Sequence, residues 1–299
     1  MKTSQCSQPR ILFVGWHSCI RLVKEAMALK KAGYEVHLLT HAIPTAWNCF
    51  DSVTVYYDDT QFCKHLEKVK DEYDIYHVHN EPNSIVVQTI EHVKGTVIFD
   101  AHDYDLLRVP GCQDDEILSV LYCDGMINVS QGIDGYIREV FNLDRLGTPS
   151  EVIYSWCLEE HLQPDYGHIR KGIVYEGGYR TPETMGIFTY RNLFPIVYHL
   201  IDQGYEFNLY GNVPDEIRAR YNEIGAKAHV AVFYHELLRT LPQYKWGWSG
   251  FLNEPRKKHI QWAMTNKLFE YLACGLPVLT FQTEEQNAFV TENEVGIAI

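Results

Sequence analysis

The chain has 299 residues, of which 46% are hydrophobic, 22% charged and 13% aromatic, and its formal net charge is −13. This length suits two domains of ordinary size, and the composition excludes large-scale disorder. The charge is −8 in residues 1–150, with 13 basic and 21 acidic side chains, and −5 in the remainder. Neither half is basic, so nucleic-acid binding is not expected.

The cysteine pattern and the N-terminal residues indicate the cellular compartment of the protein. Eight cysteines are scattered without a Cys-x-x-Cys pair, which favours reduced, packed thiols over a disulfide or zinc framework. The first ten residues lack the apolar core of a signal peptide, and no apolar run approaches the ~20 residues that span a bilayer. We therefore expect a cytoplasmic protein and leave peripheral membrane contact open.

The first half alternates apolar, β-rich runs with helical patterns. A buried strand over residues 10–15 precedes helical spacing over Ile20–Lys31, which Gly33 should end. Further strands are predicted at residues 35–41, 52–57, 75–80, 95–102, 125–130 and 152–156. This alternation predicts a parallel sheet with helices on both faces, in a domain of residues 1–157.

Residues 158–171, with Pro164 and Gly167, interrupt the rhythm and are predicted to be a linker. A second Rossmann-like domain follows over residues 172–299, and it is left open whether the chain stops short of the domain's end. Its predicted strands are residues 172–175, 207–211, 229–234, 246–252, 277–281 and 295–299, and its predicted helices end near residues 203, 224 and 273. Two such domains joined by one linker predict a cleft between them. Because ligands of open parallel sheets bind beyond the carboxyl ends of the strands, we expect both domains to present loops to that cleft.

Residues 265–280, Thr-Asn-Lys-Leu-Phe-Glu-Tyr-Leu-Ala-Cys-Gly-Leu-Pro-Val-Leu-Thr, carry the most informative pattern. They predict a helix from Asn266 with Lys267 in its first turn, where unpaired backbone N–H groups favour anions. Glu270 lies on the same face one turn later. A lysine there suits a phosphate and the carboxylate suits two ribose hydroxyls, whereas a surface ion pair is the alternative.

This segment resembles, almost without gaps over residues 266–278, the donor-binding signature of retaining GT-B glycosyltransferases, the group often called family 4. The resemblance implies two Rossmann-like domains and transfer of a sugar from a UDP- or GDP-sugar. It places Glu270 on the ribose and Lys267 near the diphosphate. It also implies that no metal or other cofactor is needed. No side-chain base is needed either, because in the retaining group the leaving diphosphate takes the acceptor's proton.

Two other strand ends agree with the resemblance. Residues 73–80, Tyr-Asp-Ile-Tyr-His-Val-His-Asn, and 99–103, Phe-Asp-Ala-His-Asp, resemble the family's histidine-containing strands. By that resemblance His102 reaches the donor's sugar or phosphate. His77 and His79 face one side of their strand and could bind a metal, but no third ligand is evident, and a packed role is favoured.

Two further short patterns have ordinary explanations. Asp103-Tyr104-Asp105 matches the Asp-x-Asp manganese motif of the other glycosyltransferase architecture, but its context does not fit. Residues 255–259 form a basic cluster. A solvated loop is favoured for this cluster, with diphosphate or acceptor binding as the alternative.

Residues 172–182 run from a strand into Gly177 and Gly178 and then towards a predicted helix start, with Thr181 as cap and Pro182 in the first turn. Glycines let a backbone approach a ligand closely, and a helix start attracts negative charge. The position of this loop matches the family's phosphate-binding loop.

The chain departs from the family at three positions. The family's arginine and lysine of the phosphate loop are replaced by Gly178 and Met185, so we expect Arg180 to substitute, with Arg191 a weaker candidate. Trp262 stands where the family has the first glutamate of its Glu-x7-Glu signature. These departures leave the donor sugar undetermined.

The first strand–helix turn contains Gly15, Trp16 and His17, which we expect on the acceptor side. Gly15 would let the backbone approach a substrate, and His17 is a candidate general base of the kind found in inverting enzymes. Tyr234 and His235 are predicted to end a strand near the nucleotide base.

The expected function is transfer of a sugar to a hydroxyl of a glycan or lipid-linked acceptor. Two other functions are left open. A sugar-nucleotide epimerase of the same fold would need paired carboxylates and a histidine, and no clear pair is evident. A non-catalytic relative would bind a nucleotide sugar or glycan only.

Overall fold

The structure is a computed structural model that describes residues 8–42, 47–108, 111, 113–163, 170–184, 189–252 and 257–299. The chain forms two compact units, Met1–Tyr154 and Ser155–Ile299. Pro164, Gly167, Met185 and residues 255–256 lie outside the described residues. The described cysteines are free. Among the described residues, no helix has both the length and the apolar character to span a membrane.

The first unit contains a seven-stranded sheet in the order β3-β2-β1-β4-β5-β6-β7, with every pair parallel. Its strands are β1 Ile11–Gly15, β2 Val36–Thr40, β3 Ser52–Val55, β4 Ile75–His79, β5 Thr96–Ala101, β6 Gly125–Asn128 and β7 Ser150–Val152. Its helices are α1 Ile20–Lys31, α2 Asp59–Val69, α3 Ser84–His92, α4 Asp105–Arg108, α5 Asp114–Tyr122, α6 Gln131–Phe141 and α7 Leu143–Leu146.

The core of this unit follows from its apolar runs. All five residues of β1 are buried, as expected for a strand covered on both faces. Leu22 and Ala26 of α1 pack against Phe13 and Leu38 in one cluster. The helix ends at Lys31, and Gly33 follows with φ of 91°, a conformation that glycine adopts without strain.

The second unit contains a six-stranded parallel sheet in the order β10-β9-β8-β11-β12-β13. Its strands are β8 Ile173–Glu176, β9 Phe207–Tyr210, β10 Lys227–His229, β11 Trp246–Trp248, β12 Val278–Thr280 and β13 Gly296–Ala298. Its helices are α8 Phe194–Asp202, α9 Asp215–Glu223, α10 Tyr234–Thr240, α11 Lys258–Gln261, α12 Asn266–Ala273 and α13 Glu284–Glu292. The predicted class, two Rossmann-like α/β domains with parallel sheets, is confirmed.

Two predictions about the elements of the second unit were wrong. Thr181 does not cap a helix: its N–H donates to Oγ1 of Thr184 at 3.0 Å within a turn, and α8 begins only at Phe194. Tyr234 and His235 begin α10 instead of ending a strand. The edge strand β10 pairs with β9 alone, and their last pair is His229 with Tyr210, so the backbone beyond His229 has no strand partner there.

Two boundaries near the chain's middle and end also differ. The last strand of the first unit covers Ser150–Val152, not residues 152–156, because Ser150 pairs with Met126 of β6. The helix Glu284–Glu292, which follows β12, was not predicted.

Candidate active site

Helix α12 has the bounds predicted from its sequence, Asn266–Ala273. It buries Leu268, Phe269 and Tyr271, and it ends before Gly275, whose φ is 68°. Thr265 precedes the helix without a side-chain capping bond, and its Oγ1 lies 2.8 Å from Oγ of Ser249. The helix start is therefore fixed by side chains of neighbouring elements.

Lys267 in the first turn of α12 does not extend into solvent. Its side chain is partly buried, and Nζ lies 5.2 Å from the centroid of the Tyr175 ring and 5.5 Å from that of the Phe251 ring. A cation over aromatic faces is attracted by their electron density. These contacts hold the ammonium beside the end of strand β8.

The loop after β8 brings two glycines next to basic side chains. Gly177 has a φ of 118°, and a Cβ there would lie 3.5 Å from Cε and 3.8 Å from Nζ of Lys267. A Cβ on Gly178 would lie 3.0 Å from Nη1 of Arg191. Gly178 therefore leaves room for the guanidinium of Arg191, and Gly177 leaves the backbone beside Lys267 uncovered by a side chain.

The two arginines considered for this loop differ in position. Arg191 reaches Gly178, whereas Nη1 of Arg180 donates to the carbonyl of Tyr179 at 3.2 Å. The backbone N–H of Arg180 donates to the carbonyl of Arg191 at 2.9 Å, which joins the two segments. Of the two, Arg191 is the one whose guanidinium approaches the glycine loop.

Glu270 is buried, with 4% of its surface exposed, one turn after Lys267. The Tyr234 hydroxyl hydrogen-bonds to it, and burial, with Glu270 nearby, raises the pKa of Tyr234. The residue after Glu270, Tyr271, accepts the N–H of Glu176 on its hydroxyl at 3.0 Å. Helix α12 thus carries a buried carboxylate and is bonded to the last residue of β8.

The electrostatics of this cluster suit an anion. Burial lowers the pKa of Lys267 to about 8; Glu176 and Glu270 oppose the shift, and Arg191 adds to it. A lowered lysine pKa means that the ammonium is poorly solvated where it lies. A phosphate would replace the missing solvation, so Lys267 and Arg191 beside Gly177 could hold a diphosphate.

In the first unit, His102 directly follows β5. Its Nε2 lies 2.9 Å from Nδ1 of His79, and its Nδ1 lies 3.8 Å from Sγ of Cys19. The ring is 19% exposed, and burial lowers the pKa of His102 to about 4, although Asp100 opposes the shift. His102 is therefore neutral near pH 7 and can exchange hydrogen bonds but not act as a cation.

Sequence reasoning missed a buried ion-pair network below His102. Arg21 of α1 donates from Nε to Oδ1 of Asp100 at 3.0 Å, and its Nη2 lies 3.0 Å from Oε1 of Glu25. His77 and His79 lie beside these carboxylates, so two carboxylates with histidines are present after all. The available signal was Asp100, a charged residue within the apolar run of β5.

The turn after β1 shows different surroundings for its three candidates. A Cβ on Gly15 would lie 2.9 Å from Cδ1 of Leu22, so this glycine is needed for packing. Trp16 stacks on His41 with ring centroids 3.9 Å apart. His17 is exposed and contacts the Trp16 ring edge-on at 6.3 Å. Within the described residues, no hydrogen bond or ring contact joins His17 to His102.

The Asp-x-Asp pattern is explained by an ion pair. Nη1 of Arg108 donates to Asp103 at 2.9 Å and Nη2 to Asp105 at 3.1 Å. Tyr104 between them is buried and donates to Oδ1 of Asn128 at 2.7 Å.

Trp262, which stands where the family has a glutamate, lies at the end of α11. Nζ of Lys258 lies 5.4 Å from the centroid of its ring.

Comparisons with known proteins agree with this architecture. Residues 192–298, which include α12, match the model of a family described as glycosyl transferase-like. No curated protein matches the chain by sequence.

Three solved structures are similar to the whole chain. A glycosyltransferase from Rickettsia africae has a TM-score of 0.64 and 10% identity, covering 98% of this chain and 84% of its own. A glycosyltransferase of avilamycin A biosynthesis has a TM-score of 0.57 and 13% identity, covering 97% and 84%. The UDP-GlcNAc 2-epimerase from Neisseria meningitidis, bound to UDP-GlcNAc, has a TM-score of 0.56 and 11% identity, covering 96% and 87%. At these identities the similarity establishes the GT-B type of fold.

Proposed function

We propose that this chain is a glycosyltransferase that moves a sugar from a nucleoside-diphosphate sugar to a hydroxyl acceptor. One observation carries the proposal: Lys267, held over Tyr175 and Phe251, lies beside Gly177 within one turn of the buried Glu270. Both charged residues lie in the segment that matches the glycosyl transferase-like family.

In the proposed complex the second unit binds the nucleotide. Lys267 and Arg191 offset the charge of the diphosphate at the Gly177–Gly178 loop, and Arg180 and Asn266 flank these positions. Glu270, with Tyr234 bonded to it, accepts the ribose hydroxyls. Charge-assisted hydrogen bonds of this kind are about twice as strong as neutral ones.

In the reaction, the bond between the anomeric carbon and the diphosphate oxygen breaks as the acceptor oxygen bonds to that carbon. The diphosphate leaves with the bonding electrons and receives the acceptor's proton. Lys267 and Arg191 stabilise its growing charge, and such electrostatic stabilisation is usually the largest catalytic contribution. No metal is required by this scheme, and the resemblance of residues 266–278 to family 4 favours retention.

The neutral His102 is proposed to hydrogen-bond the donor's sugar or phosphate, with Gly15, Trp16 and His17 on the acceptor side. The acceptor is a glycan or a lipid-linked sugar, and a lipid-linked acceptor would bring peripheral membrane contact. Replacement of His102 by alanine should lower the transfer rate about 100-fold or more, in the range of a lost general catalyst or oxyanion donor. Nucleotide affinity should change much less.

Binding is tested first by thermal shift with UDP, GDP, ADP and CMP, because a ligand of the folded state raises the melting temperature. With the best nucleotide, Lys267→Ala and Glu270→Ala should each weaken affinity at least tenfold, or about 1.4 kcal/mol. Lys227→Ala is the control, since Lys227 pairs with Glu206 at 2.9 Å in the same unit. Unchanged affinity in both site variants would refute the nucleotide site.

An epimerase is the second candidate, favoured by the similarity to the UDP-GlcNAc 2-epimerase and by the carboxylate–histidine network. Product analysis with radiolabelled UDP-sugars separates the candidates. Transfer to an added acceptor supports the proposal, and an altered sugar with free nucleotide and no acceptor supports the epimerase. Binding without turnover of any donor supports a non-catalytic role.

A further inference from the structure

Four potential metal ligands from three elements converge in the first unit. They are Glu25 of α1, His77 and His79 of β4, and Asp100 of β5, and one ligand atom from each lies within 4.8 Å of the others. His77, His79 and Asp100 are at most 7% exposed, and the Glu25 side chain is 15% exposed. The sequence pattern indicated only the two histidines as possible ligands, whereas the fold places the carboxylates of Glu25 and Asp100 next to them.

The distances between these atoms suit one ion. Nε2 of His77 lies 3.1 Å from Oδ2 of Asp100 and 3.4 Å from Oε2 of Glu25, and Nε2 of His79 lies 3.7 Å from that same Oε2. Ligand atoms about 2.0–2.2 Å from a tetrahedral zinc ion are about 3.3–3.6 Å apart. These three separations bracket that value, and the other separations among the four ligand atoms are at most 4.8 Å.

Several of these atoms have no other hydrogen bond. Among the described residues, Nε2 of His79 is buried without a hydrogen-bond partner, and neither oxygen of Glu25 accepts a hydrogen bond of good geometry, although Oε1 lies 3.0 Å from Nη2 of Arg21. Leaving such buried polar atoms unpaired costs stability. An ion at the common point would satisfy Nε2 of His79 and one oxygen of Glu25 together.

Arg21 occupies the other side of the carboxylates. Its contacts with them are to Oδ1 of Asp100 and Oε1 of Glu25, both at 3.0 Å, and to Oδ2 of Asp100 at 3.4 Å, while Nη1 donates to the Ile153 carbonyl at 2.7 Å. One guanidinium charge offsets one of the two carboxylates. Oδ2 and Oε2 are the carboxylate oxygens that face the histidines, and an ion there would replace the 3.1 Å hydrogen bond between Nε2 of His77 and Oδ2.

The arrangement also links the cluster to His102. If Nε2 of His79 binds an ion, its Nδ1 must carry the proton and donate it to Nε2 of His102, 2.9 Å away. Nδ1 of His102 would then be protonated and point towards Sγ of Cys19. Metal binding would fix both the tautomer and the orientation of His102.

We propose that Glu25, His77, His79 and Asp100 form a binding site for a divalent transition-metal ion, with Zn²⁺ the best match to two imidazoles and two carboxylates. The ion holds His79, and through it His102, in position, and takes no part at the diphosphate. The rings of His77 and His79 are parallel, with centroids 4.7 Å apart. They tilt towards each other on binding, because an imidazole holds a metal in its ring plane.

The first experiment uses the full-length, tag-free wild-type chain after treatment with a chelator. Titration with Zn²⁺ is followed by calorimetry, and Co²⁺ replaces Zn²⁺ for visible spectroscopy. We expect one ion per chain, a higher melting temperature, and the intense visible bands of tetrahedral Co²⁺. A chain that binds neither ion, or binds Co²⁺ with the weak bands of octahedral geometry, overturns the proposal.

Variants then locate the site. Glu25→Gln and His79→Gln should each weaken Zn²⁺ binding at least tenfold. His37→Gln is the matched control, because His37 lies on the neighbouring region of the same sheet with a single carboxylate, Glu35, 2.8 Å from Nε2. Equal affinity in all three variants overturns the assignment, as does a loss in His37→Gln alone. The wild-type Co²⁺ spectrum decides the geometry even if a variant fails to fold.

Discussion

Each of the two units contains a cluster of buried charged side chains, and the groups that compensate the buried cation differ between the two clusters. In the first unit, the guanidinium of Arg21 lies between Asp100 and Glu25 with both contacts at 3.0 Å. In the second, the ammonium of Lys267 rests over two aromatic rings, and burial lowers its pKa to about 8. Within the described residues, Lys267 forms no ion pair with a carboxylate.

The difference indicates which cluster supports the fold and which is ready for a substrate. A buried cation that is already paired contributes to structure, and removing one partner exposes an uncompensated charge. A desolvated cation without an ion pair binds an anion favourably, because the free-energy cost of removing the cation from water is already included in the stability of the folded state. The variants below test this contrast, from the largest expected effect to the smallest.

Asp100→Asn should have the largest effect on stability. It leaves Arg21 buried with its principal partner neutralised, and breaking a buried pair costs about 3–5 kcal/mol. The measurement is urea unfolding followed by circular dichroism. Asp51→Asn is the control, because its partner Lys30 and Asp51 are both about one-third exposed, and surface pairs contribute about 0–1 kcal/mol. Equal losses in both variants would contradict the distinction between the pairs.

Gly177→Ala should destabilise the second unit by about 1–3 kcal/mol through backbone strain at its φ of 118°. It should also weaken nucleotide binding, because the new methyl would lie 3.8 Å from Nζ of Lys267 and occupy space beside the ammonium that the phosphate needs in the proposed complex. Gly204→Ala is matched to it: φ is 84° and no atom lies within 4 Å of its Cβ position. Both variants should lose stability in urea, but only Gly177→Ala should lose affinity for the nucleotide.

Arg191→Ala should weaken nucleotide affinity about tenfold, equal to about 1.4 kcal/mol. Arg180→Ala should have a smaller effect, because its guanidinium donates to the Tyr179 carbonyl instead of lying against Gly178. Calorimetric titration of both variants measures the difference. The opposite order would restore Arg180 as the substitute for the family's arginine.

The smallest effect should come from pH. Lys267 is charged below its pKa of about 8 and neutral above it, so affinity for the diphosphate should fall as the pH rises through 8. Linkage predicts a loss of up to about eightfold between pH 7.5 and 9, a range above the second phosphate ionisation near about 6. Lys267→Met should bind weakly at both values. A wild-type affinity that is constant over this range would contradict a charged Lys267 in the complex.

Local patterns were sufficient where one element determines its own structure. The bounds of α12 could be predicted because its apolar residues have helical spacing and Gly275 can adopt the φ of 68° that ends the helix. The parallel sheets followed from alternating strands and helices. The prediction of a strand at residues 229–234 was wrong because pairing with β9 places the strand at Lys227–His229. The prediction of a helix cap at Thr181 was wrong because a local turn determines the backbone there.

The site depends more on contacts between distant segments. Arg21 and Asp100 are 79 positions apart, so nothing local to either predicts their hydrogen bond. The approach of Arg191 to Gly178 likewise depends on the bridge between Arg180 and Asn192. The assignments of Lys267, Glu270 and His102 stay predictions, which the binding and turnover experiments above can test.

One hydrogen bond in the second unit couples the movement of helix α12 to that of the loop after β8. Because the Tyr271 hydroxyl accepts the N–H of Glu176, the helix that carries Lys267 and Glu270 is tethered to the strand that leads into Gly177. Gly247 of the intervening strand allows this, since a Cβ there would lie 2.2 Å from Cγ of the tyrosine ring. Helix and loop should therefore shift as one rigid piece when a ligand arrives. Tyr271→Phe should let them fluctuate separately while leaving the ring's packing intact.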